Sequence, residues 1–117
     1  MTGIRLYHNP RCSKSRAALA LLRERGVEPE IVEYLREPPS RAELETLARR
    51  LGLEPCEWVR RGEAAFGEAS LSDASGADEI LDAMLRHPIL IERPIAVSGE
   101  RAVVGRPPER VLELLTE

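Results

Sequence analysis

An α/β fold with a mixed four-stranded sheet is predicted by three features of the chain. The N-terminal part contains an apolar segment, an amphipathic segment and a second apolar segment, which is the pattern of a βαβ unit with two parallel strands joined by a helix. The middle, about residues 40–87, carries helical periodicity. The C-terminal part holds short β-rich runs and a last amphipathic run. The 117 residues suffice for one domain, placed at 1–117 with a helical insertion at about 40–87.

The first three elements follow from local patterns. Residues 4–7 predict a strand, and residues 13–25 predict an amphipathic helix. Gly26 should end that helix, because glycine readily adopts the left-handed cap conformation. The apolar residues within 27–35 predict a second strand, which the proline pair at 38–39 stops.

The insertion is predicted to consist of helices and one exposed loop. Its segments are expected at 40–51, at 56–61, within 62–74 beside an exposed loop, and around Ile80 as far as His87. Ser40 and Glu43 have the spacing of a capping box at the start of the first segment. Trp58 and Val59 should point inward from the second.

β-rich runs follow Pro88 at 89–91, 94–97 and 101–104, with a tight hairpin turn at 98–100. A final helix is expected around Val111 to Leu115, with proline in its first turn. The hairpin can complete a mixed four-stranded sheet with helices on both faces. This is a thioredoxin-like arrangement with a helical insertion after the second strand, a fold that places a redox cysteine at the start of its first helix.

Cys12 lies at that place, between the first strand and the first helix. Free N–H groups and the helix dipole favour an anion there. Arg11, Arg16 and Lys14, the only lysine of the chain, add positive charge. A thiol in such surroundings ionises readily, and the thiolate is the nucleophilic form. We therefore predict a reactive cysteine rather than a buried apolar one.

Composition excludes several classes of protein. A net charge of −3 gives no basic field for nucleic acid or acidic membranes. No apolar run approaches the roughly twenty residues of a membrane-spanning helix, and with a strand this early in the sequence we expect no signal peptide. Two cysteines 44 positions apart make no disulfide framework, so a reducing cytoplasm is expected.

The stretch Tyr-His-Asn-Pro-Arg-Cys-Ser-Lys-Ser-Arg at 7–16 resembles the active-site signature of the glutaredoxin-coupled arsenate reductase (ArsC) family. Further matches follow in order at 34–40, 87–94 and 105–107. The resemblance covers nearly the whole chain and is closest to the short YfgD-like members of the family.

The resemblance implies an arsenate reductase in which Cys12 attacks arsenic(V). Three arginines match the oxyanion-binding positions, namely Arg60, Arg93 and Arg106. His8 and Ser15 match residues that support the thiolate, and Pro94 matches a cis-proline beside the cysteine. Glutathione would displace the first adduct, and glutaredoxin would reduce the mixed disulfide and release arsenite. No bound cofactor or metal is implied, and a monomer is expected.

Elementary chemistry agrees with this assignment. Arsenate must approach a thiolate of like charge, so guanidinium forks and helix N–H groups are needed to offset the repulsion. Ser15 stands three residues after Cys12, where its hydroxyl can donate to the sulfur and where a dithiol enzyme would have its resolving cysteine. An external thiol is therefore required. Cys56, flanked by acidic residues, is interpreted as structural or incidental.

Three alternatives differ in class. A low-molecular-weight phosphatase needs an arginine six residues after its cysteine, and Ala18 stands there instead, which rejects that class. A Spx-like regulator that binds RNA polymerase usually carries Cys-x-x-Cys, which this chain lacks, although polymerase binding without a thiol switch stays open. The sequence does not distinguish an arsenate reductase from a thiol oxidoreductase of the same fold with another substrate. It also leaves open whether Arg60 or Arg61 faces the site.

Overall fold

The computed structural model describes residues 3–115, and their contacts divide the chain into two compact units. The first unit comprises the chain up to Glu37 and from Arg93 onward. The second unit is Pro38–Glu92, which begins slightly before the predicted insertion and ends slightly after it. Within 3–115, no helix is both long and apolar enough to cross a bilayer.

A mixed four-stranded sheet forms the framework of the first unit. Its strands are β1 (Ile4–Tyr7), β2 (Glu30–Val32), β3 (Ile95–Ser98) and β4 (Arg101–Val104). The spatial order is β2-β1-β3-β4, with β2 parallel to β1 and the other neighbours antiparallel. Gly99 occupies the β3–β4 turn with φ 60°, a conformation that suits glycine in a tight hairpin. The predicted mixed sheet and hairpin are confirmed.

One face of this sheet is covered by helix α1 (Ser13–Glu24) and a C-terminal 3₁₀ helix (Pro108–Leu115). Their apolar side chains form a shared core with alternate residues of β1 and β3, namely Ile4, Leu6, Ala18, Leu22, Ala96, Val111 and Leu114. Full burial of one large aliphatic side chain stabilises a fold by about 1.5–3 kcal/mol. This core fixes α1 on the sheet and thereby fixes the position of its N-terminus.

The second unit is helical, as predicted. It contains α2 (Arg41–Leu51), α3 (Ala64–Glu68), α4 (Ala77–Arg86) and the 3₁₀ turns Pro55–Glu57 and Pro88–Leu90. The Ser40 hydroxyl accepts a hydrogen bond from the Glu43 N–H at 3.1 Å, which caps α2. Gly52 ends α2 in the left-handed conformation.

The helix predicted at 56–61 is wrong beyond its first turn. Only Pro55–Glu57 is helical, and Val59 instead pairs with Ile91 in an isolated antiparallel bridge. The Glu92 N–H donates to the Trp58 carbonyl at 3.1 Å in the same pairing. Trp58 and Val59 are nevertheless buried, as expected.

Three further predictions needed shortening or changing. The run 89–91 is not a strand, because Pro88 starts a 3₁₀ turn and only Ile91 joins the bridge. The second strand covers Glu30–Val32 rather than 27–35, because the chain turns at Glu33, whose carbonyl accepts from two later N–H groups. The last helix is a 3₁₀ helix.

Candidate active site

Cys12 is the N-cap residue of α1, with an extended backbone at φ −94° and ψ 124°. Its N–H donates to the Asn9 carbonyl at 2.9 Å, and its own carbonyl accepts from the Arg16 N–H at 3.0 Å. The side chain makes no capping hydrogen bond and is half-buried. The turn at 9–12 therefore presents the sulfur at the positive end of α1.

The surroundings of the sulfur favour its ionised form. Burial by itself raises the pKa of the Cys12 thiol, but the Ser15 N–H, the Arg93 guanidinium and the Lys14 N–H together outweigh it. The net pKa of Cys12 is lowered from its ordinary value. Backbone donors and a cation act together here, the two influences that activate cysteines at helix N-termini.

Arg106 reaches the same sulfur from the opposite end of the sequence. Its Nη2 lies 3.8 Å from the Cys12 Sγ, and its Nε donates to the Arg93 carbonyl at 2.8 Å. The structure thus brings Cys12, Arg93 and Arg106 into one cluster within the first unit.

Two loops of the first unit carry these arginines and are joined to each other. The Arg93–Pro94 peptide bond is cis, as expected, and so is Arg106–Pro107. The Gly105 N–H donates to the Pro94 carbonyl at 2.8 Å. This bond connects the segment before β3 to the segment after β4, so the sheet fixes the positions of both arginines.

His8 and Ser15 form a buried pair behind the cysteine loop. The Ser15 hydroxyl lies 2.6 Å from His8 Nδ1 and accepts from the Asn9 N–H at 3.0 Å. Burial lowers the pKa of His8, so the ring is neutral and Nδ1 can accept from the hydroxyl. The expected donation from the Ser15 hydroxyl to the sulfur is replaced by donation from the Ser15 backbone N–H, because the hydroxyl serves His8 and Asn9.

Arg60 lies in the second unit and is held by two carboxylates. Its Nη1 is 2.6 Å from Glu92 Oε1, and its Nε is 3.2 Å from Glu63 Oε2. Burial would lower the pKa of Arg60, but Glu92 and Glu63 outweigh that effect and raise it. Its assignment as an oxyanion ligand stays a prediction.

Arg61 has a different environment. It pairs with Asp73, donates to the Cys56 carbonyl at 3.3 Å and stacks over the Phe66 ring at 5.7 Å. These contacts hold Arg61 on the surface of the second unit. Cys56 itself is exposed, as is Lys14 at the start of α1.

Comparison with known proteins places the chain in a family. Residues 7–114 match the sequence model of the ArsC family. The chain belongs to the ArsC family. It is 47% identical over 114 residues to the uncharacterized protein YfgD of Escherichia coli strain K12, with 96% of each chain covered. It is also 47% identical over 115 residues to an arsenate reductase of Rhizobium meliloti, covering 97% of this chain and 82% of that one.

A solved structure agrees with this membership. The chain is similar to an arsenate reductase from Vibrio cholerae, with a TM-score of 0.91 and 45% identity. The match covers 95% of this chain and 96% of that chain. The thioredoxin-like fold is therefore that of an ArsC protein.

Asn9 is a residue of the ArsC signature whose part sequence reasoning missed. It is buried, its carbonyl accepts from Cys12, and its Oδ1 accepts from the Arg11 N–H at 3.0 Å. It also donates from its own N–H to Ser15. Asn-Pro in a strand-to-helix connection is a turn signal that pointed to this role.

Proposed function

We propose that this protein is an arsenate reductase that uses glutathione and glutaredoxin as electron donors. The observation that carries the proposal is the Cys12 sulfur, held between the N-terminus of α1 and the guanidinium groups of Arg93 and Arg106. The arsenate reductases to which the chain is similar support the same substrate. Because the donors are reduced thiols, we place the reaction in the cytoplasm, with the protein acting as a monomer.

The electrostatics of the cluster suit a tetrahedral oxyanion. Arsenate and the Cys12 thiolate are both negative, so their approach needs compensating charge close to the reacting atoms. Arg93 and Arg106 supply it, and guanidinium N–H forks fit such oxygens. In this proposal Arg60 adds a third cation, as the ArsC resemblance implies.

In the first step the Cys12 thiolate attacks arsenic(V) and forms an S–As bond. One arsenate oxygen leaves as water after taking up two protons, and arsenic stays pentavalent. The N–H groups of Lys14 and Ser15 lower the pKa of the Cys12 thiol and so favour the thiolate that attacks.

In the second step glutathione thiolate attacks the Cys12 sulfur. The S–As electron pair passes to arsenic, which leaves as arsenite, reduced by two electrons, while Cys12 and glutathione become a mixed disulfide. Glutaredoxin thiolate then attacks the glutathione sulfur, and Cys12 leaves as a thiolate. The position three residues after Cys12 holds Ser15 instead of a resolving cysteine. The external thiol therefore takes the role of the resolving cysteine.

A coupled assay with NADPH, glutathione reductase, glutathione and glutaredoxin tests the proposal. Cys12→Ser should abolish arsenate-dependent NADPH oxidation, whereas Cys56→Ser, the matched control at the other cysteine, should retain it. Absence of turnover from folded, reduced wild type would overturn the proposal. Turnover of a small disulfide without turnover of arsenate would assign the protein to the thiol oxidoreductases instead.

A further inference from the structure

A cleft of about 360 Å³ adjoins the cysteine loop within the first unit. One wall is the segment 8–11, and the other is formed by Glu33, Leu35 and Arg36. Small-molecule sites usually begin at roughly 300 Å³, so the cleft is large enough for a small peptide-sized ligand. The catalytic steps proposed above make no use of it.

The cleft and the reacting sulfur share one turn of chain. Arg11 in the wall directly precedes Cys12, and the Cys12 N–H is bonded to the carbonyl of Asn9 in the same wall. The wall 8–11 therefore ends at the residue that directly precedes Cys12 in the chain.

The charges of the cleft form a mixed pattern. Arg11 and Arg36 are exposed cations, with the Arg36 side chain 81% exposed. Glu33 is the carboxylate in the same wall as Arg36, and its Oε1 is 3.8 Å from Arg36 Nη1. Leu35, at 39% exposed, is the large apolar side chain that stays uncovered among residues 3–115.

We propose that this cleft binds glutathione for the second step of the reaction, an inference that rests on the proposed function. Glutathione has two carboxylates, one ammonium group and a central thiol. Arg11 and Arg36 match the carboxylates, Glu33 matches the ammonium, and Leu35 provides an apolar floor for the peptide.

The mixed charge argues against a second oxyanion position. Arsenate would be repelled by Glu33, whereas a zwitterionic peptide gains from it. The oxyanion is assigned to Arg93 and Arg106, so the two substrates would approach the sulfur from separate sites.

The test uses glutathione disulfide in place of arsenate, so it does not depend on the first step. The Cys12 thiolate attacks one sulfur of glutathione disulfide, forming the Cys12–glutathione disulfide and releasing glutathione thiolate. Mass spectrometry follows the rate in a Cys56→Ser background. Bis(2-hydroxyethyl) disulfide, which is uncharged, serves as the comparison substrate.

Arg36→Glu should slow reaction with glutathione disulfide about three- to fivefold, the size expected for an exposed charge pair, and Arg36→Gln should slow it less. Neither change should alter the rate with the uncharged disulfide. Arg25→Glu is the matched control, because it changes the net charge equally at the far end of α1, about 20 Å from Cys12.

Equal slowing with both disulfides, or an equal effect of Arg25→Glu, would overturn the cleft assignment. If Arg36→Glu slows only the reaction with glutathione disulfide and the wild type shows no arsenate-dependent turnover, the proposed function is overturned and the glutathione site is retained.

Discussion

The side chain of Arg106 is hydrogen-bonded to the main chain of Arg93, from Nε to the carbonyl oxygen at 2.8 Å. The same guanidinium directs Nη2 at the Cys12 sulfur. Since the donors of a guanidinium form a rigid fork, the first contact sets the direction of the second. The bond to Arg93 thus aims Arg106 at the thiol.

Arg106→Lys should lower kcat/KM for arsenate, because an ammonium group cannot hold the Arg93 carbonyl and face the sulfur in the same planar geometry. Loss of a charge-assisted hydrogen bond predicts a decrease of about ten- to hundredfold. Steady-state kinetics at varied arsenate measure it. Arg110→Lys, at an exposed arginine paired with Glu113, is the control and should stay near wild type.

Arg93→Ala should move the titration of Cys12 to higher pH. The guanidinium lowers the pKa of the thiol, so its removal reduces the thiolate fraction at neutral pH. Thiolate absorbance near 240 nm, followed against pH in a Cys56→Ser background, measures the midpoint. Arg25→Ala should leave that midpoint in place, and an unmoved midpoint in Arg93→Ala would contradict the assigned electrostatics.

Ser15→Ala should destabilise the fold by about 1–3 kcal/mol, because the buried Asn9 N–H and the His8 ring lose their shared partner. The pKa of Cys12 should change little, since the Ser15 group that faces the sulfur is the backbone N–H. Urea denaturation and thiol titration measure the two effects, with the exposed Ser13→Ala as control. A raised thiol pKa in a protein of unchanged stability would restore the hydroxyl-to-sulfur bond predicted from sequence.

Gly105→Ala should destabilise the first unit. A Cβ at this position would lie 2.8 Å from Pro94 Cγ and 3.0 Å from Val111 Cγ1, closer than van der Waals contact allows. Overpacking of this kind costs about 1–3 kcal/mol. Gly62→Ala meets nothing within 4 Å and is the matched control in urea denaturation. Equal stability of the two variants would show that the 93–94 and 105–106 loops adapt freely.

Local sequence predicted the position of Cys12 well, because a strand, a polar link and a capped helix are all encoded by near neighbours. The Arg106–Cys12 contact joins residues 94 positions apart, and no periodicity encodes such a pairing. The family resemblance supplied it instead. The direction of the Ser15 hydroxyl was not predicted from the sequence either, because it depends on how His8 and Asn9 fold back over the first turn of α1.

The pairing of Val59 with Ile91 shows a different limit. A bridge of one residue pair has no alternation, so short apolar runs at 56–61 and 89–91 could be read as helix or strand. Pro55 and Pro88 favoured 3₁₀ turns, and tertiary contact decided the rest.

Lys14 gives the chain a convenient chemical handle. Because the sequence has no other lysine, a protease that cleaves after lysine cuts the denatured protein once and releases residues 1–14. That fragment contains Cys12 and excludes Cys56. Its mass alone therefore distinguishes the free, arsenylated and glutathionylated forms of the nucleophile, which makes each intermediate of the cycle countable in a single spectrum.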